Sequence, residues 1–234
     1  MDERKLIIIG SSHIAKESLK EVERILHTEK PDIVALELDK ARLRSLLDPQ
    51  ERKIQFSAIR HVGFKGFLFS VFGAWAEKKL GKVVGVSPGS EMLKAVEIAK
   101  KEKMKIALID QPIEITLRKF SKALTWKEKW NFVKDFFKVL VGKKQPITFD
   151  LSTVPDSEII EKMLEEVKIS YPNIYKVLIE DRNEVMAYHL KRLQRLHPDE
   201  KIVAIVGAGH KKGIEALMRE GKITYSFHVG KNKV

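Results

Sequence analysis

Two stretches at opposite ends of the chain share one chemical device: LIIIGSSH (residues 6–13) and VAIVGAGH (203–210). Each is an apolar β-branched run, then Gly, two small residues and His. Two more apolar runs carry acids. IVALELD (33–39) contains Glu37 and Asp39, and KIALID (105–110) ends on Asp110. Imidazoles and carboxylates do acid–base work and ligate metal ions. A carboxylate inside an apolar run is also costly to bury unless a cation, a metal or hydrogen bonds compensate it. His13, His210, Glu37 and Asp110 are therefore the first candidates for a site. Each has a plain structural reading as well. A His after a strand is often a packing or capping residue. Glu37 has Arg42 within reach along the chain, and Asp110 precedes Pro112 where a turn is expected.

The elements that would position these groups are legible. KLIIIG (5–10), DIVALEL (32–38), KVVGV (82–86), KIALID (105–110) and KIVAIVG (201–207) are continuous apolar runs, the mark of strands buried on both faces; ITYSFHV (223–229) is weaker. Between them lie helical patterns. KESLKEVERILHTEK (16–30) puts Leu19, Val22, Ile25 and Leu26 on one face. SEMLKAVEIAKKEK (90–103) follows Pro88-Gly89, with Ser90 as the expected cap. HKKGIEALMRE leads to Gly221. Strands alternating with helices predict an α/β fold with a central, mostly parallel sheet flanked by helices. Residues 113–200 lack strand character and predict a helical insertion between the fourth and fifth strands of one 1–234 domain. YKVLIEDRNEVMAYHLKRLQRL within it reads as one helix.

In such a sheet, ligands bind beyond the carboxyl ends of the strands. Strands ending in His13, Glu37, Asp110 and His210 would bring those groups around one crevice. Gly10 and Gly207 allow tight turns there, with positive φ one option. Ser11, Ser12, Ala208 and Gly209 leave room for a ligand at the backbone. The helices that follow direct amide N–H groups toward the same place, which favours an anion.

Composition narrows the classes. The chain has no Cys, so any metal site must use His, Asp or Glu. Its net charge is +12. Residues 119–144 hold eight Lys against Glu128 and Asp135, half of that excess. Nucleic acid is not an expected partner, because no recognition fold accompanies the charge. WKEKWNFVKDFFKVLVGKK places Trp126, Trp130, Val133, Phe137 and Leu140 at helical spacing with lysines elsewhere, as interfacial helices do. GFLFSVFGAWA (66–76) is too short to span a bilayer as a helix, which takes about 20 residues. Both segments also suit a core or a subunit face, and because they hold many of the aromatics a homodimer is expected. The expected compartment is the cytoplasm, with association at the cytoplasmic membrane as the alternative. Abundant Lys, Arg and Glu without Cys suits a thermophile.

GSSHIAKES (10–18), PDIVALELDKARLRSL (31–46), GVSPGSEMLKAVEIAK (85–100), LIDQPIEITLRK (108–119), IEDRNEVMA (179–187) and VAIVGAGHKKGI (203–214) together resemble the TraB/PrgY pheromone-shutdown family. That family is similar in turn to the TIKI metalloproteases and to the erythromycin esterase/ChaN-like fold. The resemblance implies a metal-dependent, peptidase-like site built from two GxxH motifs and acids. On matching positions it nominates His13, His210, Glu37 and Glu91 as metal ligands, and Glu37, Glu91, Arg118 and Arg182 as catalytic groups. Ser11, Ser12, Asp110 and Gly209 would contact substrate. Gln111 departs from the Arg that family members often carry after the Asp. Many relatives also continue into C-terminal transmembrane helices.

The function implied is metal-dependent hydrolysis of peptides or related amides and esters, with manganese, cobalt or zinc as the divalent ion. The competing expectation is a non-catalytic module that binds or sequesters a peptide or small ligand in the same crevice. Tight ion pairs between the arginines and the acids would weigh against all of those acids being ligands.

Overall fold

A computed structural model describes residues 5–11, 16–48, 89–123, 125, 128 and 157–220 of the 234. Four of the expected runs form β1 (Leu6–Ser11), β2 (Ile33–Leu36), β3 (Lys105–Leu108) and β4 (Ile202–Gly207). They make one sheet in the order β1-β4-β2-β3, with every pair parallel. The two ends of the chain thus lie side by side: Gly10 stands opposite Val206, and Ser11 opposite Gly207. KVVGV, ITYSFHV, GFLFSVFGAWA and the Trp126–Leu140 stripe lie outside the described residues.

Eight helices accompany the sheet among the described residues: α1 (Lys16–Glu29), α2 (Lys40–Leu47), α3 (Ser90–Lys101), α4 (Ile113–Ala123), α5 (Ser157–Ser170), α6 (Pro172–Tyr175), α7 (Asp181–Leu196) and α8 (Ala208–Arg219). The period-2 alternation of strand side chains sorts them into two cores. Val34, Leu36, Val203 and Ile205 pack against α1 and α3. Ile33, Ala35, Ile202, Ala204 and Val206 pack against Met186, Ala187 and Leu190 of α7 and Ile214 of α8. Continuous apolar runs are what a sheet covered on both faces requires. On α1 the fully buried stripe is Ser18, Val22 and Leu26, one step from the expected Leu19 start.

Several junctions differ from expectation. Gly207 has φ −60 and ψ 142, an extended N-cap rather than a left-handed turn, and β4 passes into α8 with no loop. Gly10 lies inside β1, and its lack of a side chain serves close packing. A Cβ there would sit 3.1 Å from the Ala208 Cα, so glycine lets α8 lie close over β1. α3 is preceded by Gly89 at φ 85, and Ser90 is its first residue rather than its cap. Between β3 and β4 every described element is helical, but the stretch read as one helix is interrupted. A π turn over Lys176–Glu180 separates α6 from α7. Its wider i→i+5 closure adds a residue, which rotates the next helical segment by about 100° relative to a regular helix.

A buried acid braces this helical region. Glu128 accepts hydrogen bonds from the backbone N–H (3.0 Å) and hydroxyl (2.9 Å) of Thr125, and from the backbone N–H (2.9 Å) and side chain (3.1 Å) of Asn173 on α6. Thr125 accepts in return from the Glu128 N–H, completing a capping box. Burial pushes the Glu128 carboxyl up, but the Thr125 and Asn173 donors outweigh it and hold it below the usual carboxylate range. The native state therefore binds this proton less readily than the unfolded chain, and the stabilisation present above the ordinary carboxylate pKa is lost as pH falls. Glu128→Gln is expected to lower stability by about 1–3 kcal/mol at pH 7, since hydrogen bonds to charged groups contribute that much. The gap between variant and parent should narrow below about pH 4. Denaturant unfolding at several pH values checks this, and a gap that is constant down to pH 3 would contradict it.

Candidate functional site

At the carboxyl ends of β2 and β4 the apolar face gives way to charge. Glu37 follows Ile33 and Ala35 at period 2, so it points to the side covered by α7 and α8. It is 2% exposed. Its Oε2 accepts the Gly207 N–H at 2.5 Å, which ties the end of β2 to the β4–α8 junction. Its Oε1 accepts from the Arg182 guanidinium on α7 and lies 3.5 Å from His210 Nε2.

Arg182 is the hub. Nε donates to Asp110 Oδ1 (3.1 Å) and Nη2 to Asp110 Oδ2 (2.7 Å), a bidentate pair. Nη2 also donates to Glu37. Nη1 donates to His210 Nε2 (3.0 Å) and, at 3.4 Å, to the Leu178 carbonyl within the π turn. Five N–H groups thus meet five acceptors. Burial alone would lower the guanidinium's pKa; Glu37 and Asp110 more than reverse that and raise it, so the group stays charged. Asp110 takes a second guanidinium from Arg42 at 2.9 Å and the Gln111 N–H at 2.8 Å. Two acids and two arginines balance.

The arrangement assigns proton positions. A guanidinium only donates, so His210 Nε2 must accept. The ring is then neutral, with its proton on Nδ1, and that proton goes to Asn183 Oδ1 at 2.7 Å. His210 is 5% exposed and sits in the first turn of α8.

The expected residues fall into three groups. Glu37, Asp110, Arg182 and His210 come together, and buried Ser11 ends β1 beside Gly207. Glu91 is 1% exposed in the first turn of α3, and no described contact joins it to that cluster. Ser11, Glu37, Glu91 and His210 each make at least one further polar or electrostatic interaction. Arg118 is exposed on α4 and forms no described ion pair with the acids. Gly209 faces Leu164 of α5, 3.7 Å from where its Cβ would be. His13 and Ser12 lie outside the described residues. Arg42 partners Asp110 rather than Glu37. Asp39 caps α2 through Ala41 and Arg42 and holds the Ile113 N–H at the start of α4. Among the described residues no three His, Asp or Glu side chains are grouped to hold a metal ion. A cavity of about 400 Å³ lies at the other end of the sheet, lined by Lys30, Asp32, Lys105 and Glu200, where strands begin rather than end.

Asn183 was not among the expected residues. Its signal was present: Asn183, Met186, Ala187 and Leu190 recur at helical spacing and are all buried, so a polar residue stands on an apolar stripe.

Comparison with known proteins agrees with the motifs. The family model described as TraB/PrgY/gumN matches residues 2–226. An uncharacterised protein of Methanocaldococcus jannaschii is 36% identical over 223 residues, covering 94% of this chain and 55% of the relative. TraB domain-containing proteins of mouse and human are each 24% identical over 240 residues, covering 92% of this chain and 62% of each relative. The chain therefore spans little more than half the length of these relatives. A structure of ChaN from Campylobacter jejuni, described as binding cofacial haem, aligns with a TM-score of 0.39 and 13% identity, covering 93% of this chain and 76% of that one. With a family model matching from residue 2 to residue 226, the chain belongs to the TraB/PrgY/gumN family.

Proposed function

We propose that the chain is a metal-dependent hydrolase of peptides or related amides and esters, centred where β2 and β4 end. The observation that supports this reading is the 3.5 Å separation of Glu37 Oε1 and His210 Nε2, two buried metal-ligand atoms that follow the ends of the adjacent strands β2 and β4. Two ligands of one tetrahedral ion, each bonded at about 2.0–2.1 Å, stand roughly 3.3 Å apart. A nitrogen and an oxygen donor suit zinc, manganese or cobalt. A divalent ion there would supply a bound water acidic enough to ionise near neutral pH.

The chain's own residues have definite parts in this reading. Glu37 and His210 are the ligand pair; His13 and Glu91 are the further ligands the family likeness nominates. Gly207 holds Oε2 of Glu37 and so presents Oε1 to the ion. Asp110 holds Arg182 in place, and a carboxylate not engaged as a ligand takes the proton from the attacking water.

One observation favours a second reading. Arg182 already bonds the same two atoms, and its N–H groups are all engaged. A site balanced by arginines supports a non-catalytic module that binds a peptide or small ligand. For a cation to sit between Glu37 and His210, two Arg182 bonds must give way.

Titration of the metal-stripped chain with Zn²⁺ and Mn²⁺ separates the readings. Hydrolysis predicts one bound equivalent, with affinity falling more than about tenfold in His210→Ala. Absence of binding at micromolar metal, with peptide binding unchanged in His210→Ala, would sink it. Arg182→Gln leaves buried Glu37 without its guanidinium and Asp110 with Arg42 alone, and is expected to cost about 3–5 kcal/mol, lowering Tm by on the order of 10 °C. In the hydrolase reading Zn²⁺ raises the Tm of this variant more than that of the parent. Equal shifts in thermal melts would instead favour the binding module.

A further inference from the structure

Asn183 stands between His210 and Gly213 where α7 meets α8. Its side chain is buried, on the face of α7 turned to α8. Oδ1 takes the His210 Nδ1 proton at 2.7 Å. The amide nitrogen lies against Gly213, one turn after His210: a Cβ on Gly213 would overlap Asn183 Nδ2 and come within 3.1 Å of Cγ. No other residue type leaves the amide where it is, because a contact that close forces a shift.

The proton assignments form a chain with one solution. Arg182 has no lone pair to offer, so His210 Nε2 must be bare. Nδ1 then carries hydrogen, and its partner must be an acceptor, which makes the facing Asn183 atom oxygen. The amide NH₂ is thereby turned to Gly213. Were the amide reversed, its NH₂ would face the Nδ1–H, two donors with no acceptor between them.

We infer that Asn183, seated in the space left by Gly213, is the positioning residue that accepts the His210 Nδ1 proton and so, with Arg182 donating on the other side, holds the ring as its Nδ1–H tautomer with Nε2 toward Arg182 and Glu37. This rests on the hydrolase reading only for its consequence. There, a ligating imidazole works through the nitrogen its outer partner leaves free.

The test is ¹⁵N NMR of the histidine rings at pH 7.5, with His210→Gln identifying the signal among the seven histidines. The parent should show a protonated Nδ1 and a bare Nε2. Asn183→Leu, which offers no acceptor, should shrink the difference between the two nitrogens, because Arg182 alone then favours a bare Nε2. Asn183→Asp restores an acceptor and should restore the Nδ1 proton. Gly213→Ala should act in the same direction as Asn183→Leu. A parent ring protonated on Nε2, or an Asn183→Leu ring unchanged from the parent, overturns the inference. A parent ring protonated on Nε2 overturns the inference even if a variant fails to fold. Zn²⁺ affinity is read in parallel, with a loss of about 10–100-fold expected in Asn183→Leu, as for other outer-partner deletions. A bare Nε2 in a protein that binds no Zn²⁺ would leave Asn183 as the positioning residue and remove the hydrolase reading.

Discussion

Burying a guanidinium beside two carboxylates is expensive in desolvation, and it is tolerated only where geometry is complete. Arg182 meets that condition with the bidentate Asp110 pair, Glu37, His210 and the Leu178 carbonyl. Remove the guanidinium and buried Glu37 loses its cation, while Asp110 keeps only Arg42. Remove either acid and the other cannot balance both arginines. The site is thus a single electrostatic unit shared among β2, the end of β3, α7 and α8. None of those elements owns it.

Backbone features make this unit possible. Gly207 offers its N–H to Glu37 at the strand-to-helix junction, so one carboxylate oxygen is held by main chain and the other by side chain. The π turn places a carbonyl against Arg182 and sets the rotation at which α7 meets the sheet. Two glycines set distances: Gly10 admits α8 over β1, and Gly213 admits Asn183 beside His210.

Much of this was legible from residue type and order. Continuous apolar runs identified β1, β2, β3 and β4, because a strand covered on both faces cannot alternate with polar residues. The acids and His210 at the ends of those runs pointed to the carboxyl edge of the sheet, and there Glu37, Asp110 and His210 meet. Partner choice was not legible. Arg42 and Arg182 are equivalent as letters; which acid each reaches depends on the rotation of α2 and α7. The π turn left no mark in composition, since Lys176–Glu180 reads as ordinary helix. Asn183 was hidden beside a charged neighbour, and its importance appears only once Gly213 is seen against it. Glu91 and Arg118 entered through family likeness, not through the spacing of the strands.

β4 runs into α8 without a single intervening residue, and His210 follows three positions after the strand's last. The imidazole therefore sits in the first turn of a helix that starts directly at the end of a fully buried strand. Any accommodation of a guest molecule by this ring must come from torsion about its own side-chain bonds. The stiffness of the central strand is handed directly to the chemistry at its tip.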